Sequence, residues 1–163
     1  MSRLVLVVAG MAAVLVLAVL LVERSPGRGP EPIVHGQDAC ARCRMIISRP
    51  GFAGELRDRN GVLTKYDDVG CLLQAMVAQR GEMPEAWVED NATGALVPLL
   101  GATFVRVAQA DTPMGHGIIA FSERSIAERF ATGHEGRVVA LEDLVRDPAI
   151  VAAHSPSTNR GQP

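Results

Sequence analysis

Apolar residues along the chain fall into short blocks separated by polar turns, and their order predicts two successive ββαβ units. In the first unit, the runs MIISR and VLTKY predict two strands joined at Asn60-Gly61, a dipeptide typical of hairpin turns. Asp67 or Asp68 can cap a helix in the following run, VGCLLQAMVAQRG, which Gly81 ends. The run EAWVED then predicts a third strand that completes the unit.

The second half of the chain repeats this order of elements. ATFVRVA and GIIAF predict two strands on either side of the turn DTPMGHG, and Ser122 can cap a helix in ERSIAERFATGHEG. RVVALED predicts the last strand, and a short helix interrupted by Pro148 follows it. Since each unit offers only one helix to cover its sheet, we expect the two tandem ββαβ units to share one core in an α+β domain, residues 38–153.

The hydrophobic pattern changes at the N-terminus. Residues 4–22 form an uncharged apolar run of 19 residues, close to the roughly 20 that a helix needs to span a bilayer. A cleaved signal peptide, the alternative, would have a shorter apolar core. We therefore expect an uncleaved transmembrane helix in residues 1–22, followed by a Pro- and Gly-rich linker in residues 23–37. Residues 154–163 are predicted to be a disordered tail.

Composition and charge exclude some classes of function. With 16 basic and 18 acidic residues the net charge is −2, so the chain offers no basic field for nucleic acid. The sequence contains no nucleophile–histidine–acid set and no phosphate-binding loop, and we expect that the protein is not an enzyme. An exported domain built on disulfides usually has an even number of cysteines, whereas this chain has three. A thiolate site for a metal ion therefore remains open.

The segment DACARCRM places Cys40, Cys43 and Met45 within a few residues of one another. Thiolate and thioether are the soft donors that select Cu(I), so the spacing favours a Cu(I) site. A structural zinc site would need a second ligand pair, which the sequence lacks. A thioredoxin-type redox motif should follow a strand and begin a helix, whereas this one follows a Pro- and Gly-rich stretch. A plain structural disulfide is the remaining alternative.

A second group of candidate donors lies in the turn TPMGHG, where Met114 and His116 alternate with Gly115 and Gly117. Methionine and histidine can both bind Cu(I), and the glycines allow the backbone to bring them together. Alternatively, Met114 packs under its own hairpin and His116 is solvated. Cys71, in the first turn of the first predicted helix, is interpreted as a small buried apolar residue.

Together these motifs resemble the NosL family, the nitrous oxide reductase accessory proteins. The resemblance is carried by the CxxCxM segment, the helix start YDDVGC, the run TPMGHGIIAF and the later GRVVALEDL. It implies a tandem ββαβ fold and a periplasmic chaperone that delivers Cu(I) to the copper centres of nitrous oxide reductase. Members are commonly lipoproteins with a lipidated cysteine, whereas this chain has an apolar N-terminal run without one.

The sequence thus leads to one main hypothesis for function. We expect a Cu(I) chaperone in the periplasm, anchored to the inner membrane, that serves nitrous oxide reductase or its copper-delivery machinery. The ion would be held by Cys40, Cys43 and Met45, or by part of that set joined by Met114 or His116. Whether a homodimer forms around a shared ion is left open. The alternative function is a thiol–disulfide oxidoreductase that uses the CxxC pair.

Overall fold

The computed structural model describes residues 29–79, 84–108 and 111–151, which form a mixed α+β fold with two antiparallel sheets. The first unit contains two strands, a helix and two further strands: β1 (Gly54–Arg57), β2 (Leu63–Tyr66), α1 (Val69–Ala78), β3 (Glu85–Glu89) and β4 (Leu96–Pro98). A 3-10 turn, Leu99–Gly101, leads to the second unit: β5 (Thr103–Arg106), β6 (Ile118–Phe121), α2 (Arg124–Gly133) and β7 (Arg137–Val139). Two short helices, α3 (Leu141–Arg146) and α4 (Pro148–Val151), follow.

The sheets show how the two units correspond. The strand order is β2-β1-β3-β4 in the first sheet and β6-β5-β7 in the second. In both, the first strand of the unit lies between the second strand and the strand that follows the helix. The predicted ββαβ order is therefore present twice, with β4 added at the edge of the first sheet.

The first strand is not where the hydrophobic pattern placed it, so the assignment of MIISR was wrong. That segment forms only an isolated bridge between Ala39 and Ile46, although Ile47 is fully buried. The strand that pairs with β2 is GELR, all four residues of which are buried. Its Glu55 accepts from the Glu31 amide through Oε2 at 2.8 Å, and Glu31 is a distant partner that the local pattern does not reveal.

Of the two predicted helix caps, one is present and the other is not. Asp68 caps α1 as predicted, because its side chain accepts from the Gly70 amide at 2.6 Å. The prediction that Ser122 caps α2 was wrong: the residue before α2 is Glu123, and it makes no side-chain capping bond. The Ser122 amide instead donates to Asp90 Oδ2 at 2.6 Å, which ties the second unit to the end of β3.

Helix α1 is the central element of the larger core. Its buried residues include Leu72 and Leu73, which belong to the same apolar cluster as Leu56 on β1 and Leu144 on α3. Val69 and Cys71 of the same helix are buried there too. The first turn of α1 is therefore packed in the larger core.

Part of the predicted linker lies against this first unit. The Arg57 guanidinium donates to the carbonyl of Gly29 at 2.6 Å, and His35 Nε2 lies 3.0 Å from Glu89 Oε1. Residues 29–37 are therefore in contact with β1 and β3. Among the described ranges no helix is long and apolar enough to cross a membrane. The predicted anchor in residues 1–22, Gly81 and the predicted tail in residues 154–163 all lie outside those ranges.

Candidate metal site

The segment that carries Cys40 and Cys43 folds back on itself before β1, and residues 40–44 form a loop, here called the cysteine loop. The Cys40 amide donates to the carbonyl of Met45 at 2.9 Å, and the Arg44 amide donates to that of Cys40 at 3.0 Å. Arg44 adopts a positive φ of 66°, which helps to close the loop. The Ala41 amide donates to the Lys65 carbonyl at 2.9 Å and fixes the loop to β2. As a result Cys40 points into the core, whereas Cys43 is half-buried.

Helix α1 adds a third sulfur to this loop. Capping by Asp68 places Cys71 in the first turn of the helix, where it is only 1% exposed. The Sγ atoms of Cys40, Cys43 and Cys71 all lie within 4.8 Å of one another. None of these three cysteines forms a disulfide in this structure.

The spacing and chemistry of these three sulfurs suit a soft metal ion. Metal–thiolate bonds are about 2.3 Å long, so two sulfurs on one ion are at most about 4.6 Å apart. The observed 4.8 Å limit is close to that requirement, and only small side-chain movements would be needed. Sulfur donors in low coordination number select Cu(I) over hard cations.

The thiols of the cluster are not equivalent in charge. The hydrogen bond from Cys71 lowers the pKa of Cys40 to about 4, and the backbone amide of Cys43 acts in the same direction although burial opposes both. The same hydrogen bond, together with burial, raises the pKa of Cys71. Burial also raises the pKa of Cys43. At neutral pH the cluster therefore holds one thiolate and two thiols.

A buried carboxylate next to the cluster adds to its preference for a cation. Asp67 is 2% exposed, and its Oδ1 has no hydrogen-bond partner among the described residues. Burial raises the pKa of Asp67, and the negative charge of Cys40 raises it further. A positive charge among the cysteines would favour the ionised form of Asp67, whereas each further thiolate that binds the ion would oppose it.

The two predicted thioether donors are exposed. Met45 is 53% exposed, directly after the cysteine loop, and Met114 is 38% exposed. The Met114 amide donates to Asp68 Oδ2 at 3.2 Å, so the predicted donor turn lies at the start of α1, close in the chain to Cys71. His116 lies there too, with its Nδ1 2.8 Å from Asp68 Oδ1.

The structure thus brings Cys40 and Cys43 together as the sequence predicted, and it adds Cys71. The interpretation of Cys71 as a buried residue agrees with its burial but did not anticipate its neighbours. Its position in YDDVGC gave no local signal, because its sulfur partners come from a segment that is distant in sequence. The odd number of cysteines was the one available hint.

The arrangement differs from that of a thioredoxin-type redox motif. There, the first cysteine lies at a helix N-terminus, which lowers its pKa. Here Cys40 is 0% exposed and the pair lies in a turn that no helix follows before β1. An incoming disulfide could reach only the half-buried Cys43.

Comparison with known proteins identifies the family. The family model of NosL matches residues 32–149, which include both sheets and all three cysteines. The chain belongs to the NosL family. The resemblance predicted from its motifs is thereby confirmed.

A solved NosL structure has the same fold. The crystal structure of the copper chaperone NosL from Shewanella denitrificans superimposes with a TM-score of 0.64 at 21% identity, covering 72% of this chain and 96% of that chain. At this identity the similarity establishes the fold of the two NosL proteins. A search of curated proteins found no match.

Proposed function

We propose that this protein is a Cu(I) carrier that holds one ion at its cysteine cluster and passes it to a partner at the exposed side of that cluster. The observation that carries the proposal is the approach of three free sulfurs to within 4.8 Å of one another. Membership of the NosL family and the fold of a copper chaperone support the choice of copper.

Burial gives the proposed site an inner and an outer side. Cys40 and Cys71 are 0% and 1% exposed, so they would form the inner wall of the site. Cys43 is half-buried, and Met45 and Met114 are exposed. The two thioethers would complete the coordination of the ion from outside, either in turn or together.

This difference in exposure suits transfer by ligand exchange. Cu(I) is stable with two or three soft ligands, so a donor from a partner can bind before a ligand of the carrier leaves. The thioethers of Met45 and Met114 are neutral, and we expect them to be displaced first. The thiolate of Cys40, anchored in the core, would be displaced last.

The client and the compartment are also proposed. The resemblance to nitrous oxide reductase accessory proteins favours nitrous oxide reductase, or its copper-delivery machinery, as the recipient. The apolar run in residues 4–22 favours an anchor in the inner membrane, with the described domain on the periplasmic side.

Copper titration tests the carrier function directly. Reduced protein should bind one equivalent of Cu(I) without oxygen in competition with a Cu(I)-specific chelator, and should pass the ion to copper-free nitrous oxide reductase. The cluster variant Cys43→Ala should bind more weakly, whereas a distant change such as His134→Ala should not alter binding. Catalytic reduction of a disulfide substrate by the protein, together with weak copper binding, would favour the oxidoreductase alternative instead.

A further inference from the structure

His116 is held by helix α1 through both of its ring nitrogens. Its Nδ1 lies 2.8 Å from Asp68 Oδ1, and its Nε2 lies 3.1 Å from Gln74 Nε2. The side chain of Asp68 is 1% exposed, and its Oδ1 and Oδ2 accept from the backbone amides of Gly70 and Met114. The amide nitrogen of Gln74 can only donate, so His116 Nε2 accepts from it and Nδ1 carries the ring proton that is donated to Asp68. The ring thus has no lone pair left for a metal ion.

The surface of α1 is shaped to receive this ring. A Cβ atom added to Gly70 would overlap the ring of His116, so only glycine allows the ring to lie against the helix at this point. Gly70 directly precedes Cys71, and Gln74 follows one helical turn later. The ring therefore covers the helix surface beside the third cysteine of the cluster.

The carboxylate that holds His116 also holds Met114. Asp68 Oδ2 accepts from the Met114 amide at 3.2 Å, while Oδ1 bonds the imidazole at 2.8 Å. Between these two residues the chain turns at Gly115, whose φ is +68°. The turn is also closed from within, since the Gly117 amide donates to Thr112 Oγ1 at 3.1 Å. The backbone of the turn is thus fixed on both sides, while the side chain of Met114 stays 38% exposed.

We propose that His116 is a positioning residue that fixes the Met114 turn against the start of α1, so that Met114, and not His116, supplies a ligand to the copper ion. This inference rests on the proposed function, because it assigns roles within the copper site. Each residue type in the run TPMGHG then has its own role. The thioether of Met114 binds the copper ion, the imidazole of His116 orients the turn, and the glycines allow its backbone conformation. Gly70 and Asp68 in YDDVGC form the matching surface on the helix.

Histidine spectroscopy distinguishes a positioning residue from a ligand. Reduced full-length protein with isotope-labelled histidine carries four such residues, and the spectrum of His116→Asn assigns the signals of His116. One equivalent of Cu(I) should leave His116 in the tautomer with the proton on Nδ1. A coordination shift of either His116 nitrogen would overturn the inference while leaving the carrier function intact.

Affinity measurements on variants give a second, independent test. We expect His116→Ala to weaken Cu(I) binding roughly tenfold or more, the usual range for residues that orient a metal ligand. His116→Asn keeps a donor toward Asp68 and should restore part of that loss. The double variant Met114→Ala with His116→Ala should bind no more weakly than Met114→Ala alone, because both changes remove the same thioether.

Each outcome of the affinity test has a definite meaning. Additive losses in the double variant would show two separate ligands and overturn the positioning role. Unchanged binding in His116→Ala would overturn it as well, since the turn would then need no fixing. A wild-type protein that binds no Cu(I) would instead overturn the proposed function, and this inference with it. The exposed His134, which stacks on Phe130 away from the cluster, provides the control His134→Ala.

Discussion

The Sγ atoms of Cys71 and Cys40 lie within 4.8 Å of each other, and the two side chains are only 1% and 0% exposed. This proximity joins the first turn of α1 to the cysteine loop that precedes β1. Interaction of the two thiols lowers the pKa of Cys40 and raises the pKa of Cys71, so Cys40 is the thiolate of the cluster. A residue that would otherwise be one more small core side chain is therefore an electrostatic partner of the proposed copper site.

Replacement of Cys71 should weaken copper binding more than it weakens the fold. We expect Cys71→Ala to cost about 1 kcal/mol of unfolding free energy, as for other small core truncations, and to reduce Cu(I) affinity at least tenfold. Denaturant unfolding and chelator competition measure the two effects. As a matched control, Met76→Ala on the same helix should destabilise by about 2–5 kcal/mol without lowering the affinity of the folded fraction. Wild-type affinity in Cys71→Ala would limit the site to the loop cysteines.

Copper binding should release protons, and the number of protons released should equal the number of thiols that become ligands. Since the pKa of Cys40 is about 4, its thiolate is present before binding at neutral pH. The pKa values of Cys43 and Cys71 are raised, so each of them must lose a proton to become a ligand. For each such proton the apparent affinity should rise about tenfold per pH unit between about pH 5 and 8. A titration in weak buffer should show one proton for two cysteine ligands and two for three. No release at all would mean that Cys40 is the only cysteine ligand.

The exposed thioethers should matter for copper and not for stability. Met45→Leu and Met114→Leu keep the side-chain size but remove the sulfur, and both positions are exposed, so we expect Tm to stay nearly constant. Transfer rates to an acceptor chelator, or Cu(I) affinity, should change. The buried Met76→Leu is the control, with a stability change below about 1.5 kcal/mol and no effect on copper. If all three variants bound and transferred Cu(I) equally well, neither Met45 nor Met114 would be a copper ligand.

Two glycine variants test whether the His116 ring packs against α1. Gly70→Ala would place a methyl group against the imidazole, so we expect a loss of about 1–3 kcal/mol in unfolding free energy and weaker Cu(I) binding. Gly133→Ala, at the end of α2, has nothing within 4 Å of the added Cβ and should be neutral or stabilising by up to about 1 kcal/mol. A Gly70→Ala protein as stable as wild type would show that the ring does not rest there in solution.

Two truncations test where the domain begins. Removal of residues 1–22 should leave a folded copper-binding protein, because the Pro- and Gly-rich segment that begins at residue 23 separates this apolar run from the domain. Removal of residues 1–37 should destabilise it, since buried Glu55 would lose the Glu31 amide and Arg57 would lose the Gly29 carbonyl. Urea unfolding of the two proteins measures the difference. Equal stability would mean that residues 29–37 contribute nothing to the fold.

Local patterns were sufficient for most elements of the fold. The start of α1 at Asp68 follows from a capping side chain and the apolar run behind it. The hairpin between β1 and β2 forms at the predicted turn, where the Gly61 amide donates to the Asp58 carbonyl at 3.0 Å. The first strand was missed because it contains two charged residues, Glu55 and Arg57, both of which are buried. Burial of such charges depends on partners elsewhere in the chain, which no short window shows.

The candidate site also has features that local sequence predicts and features that depend on distant parts of the chain. By itself the sequence determined the paired Cys40 and Cys43, the adjacent Met45 and the resemblance to NosL, because these depend on residue type and spacing along the chain. Only the tertiary structure decided that Cys71 joins the sulfur cluster and that His116 rests on α1. Both depend on how one helix packs between two distant loops. That packing is set by the whole core, and no spacing within a single segment encodes it.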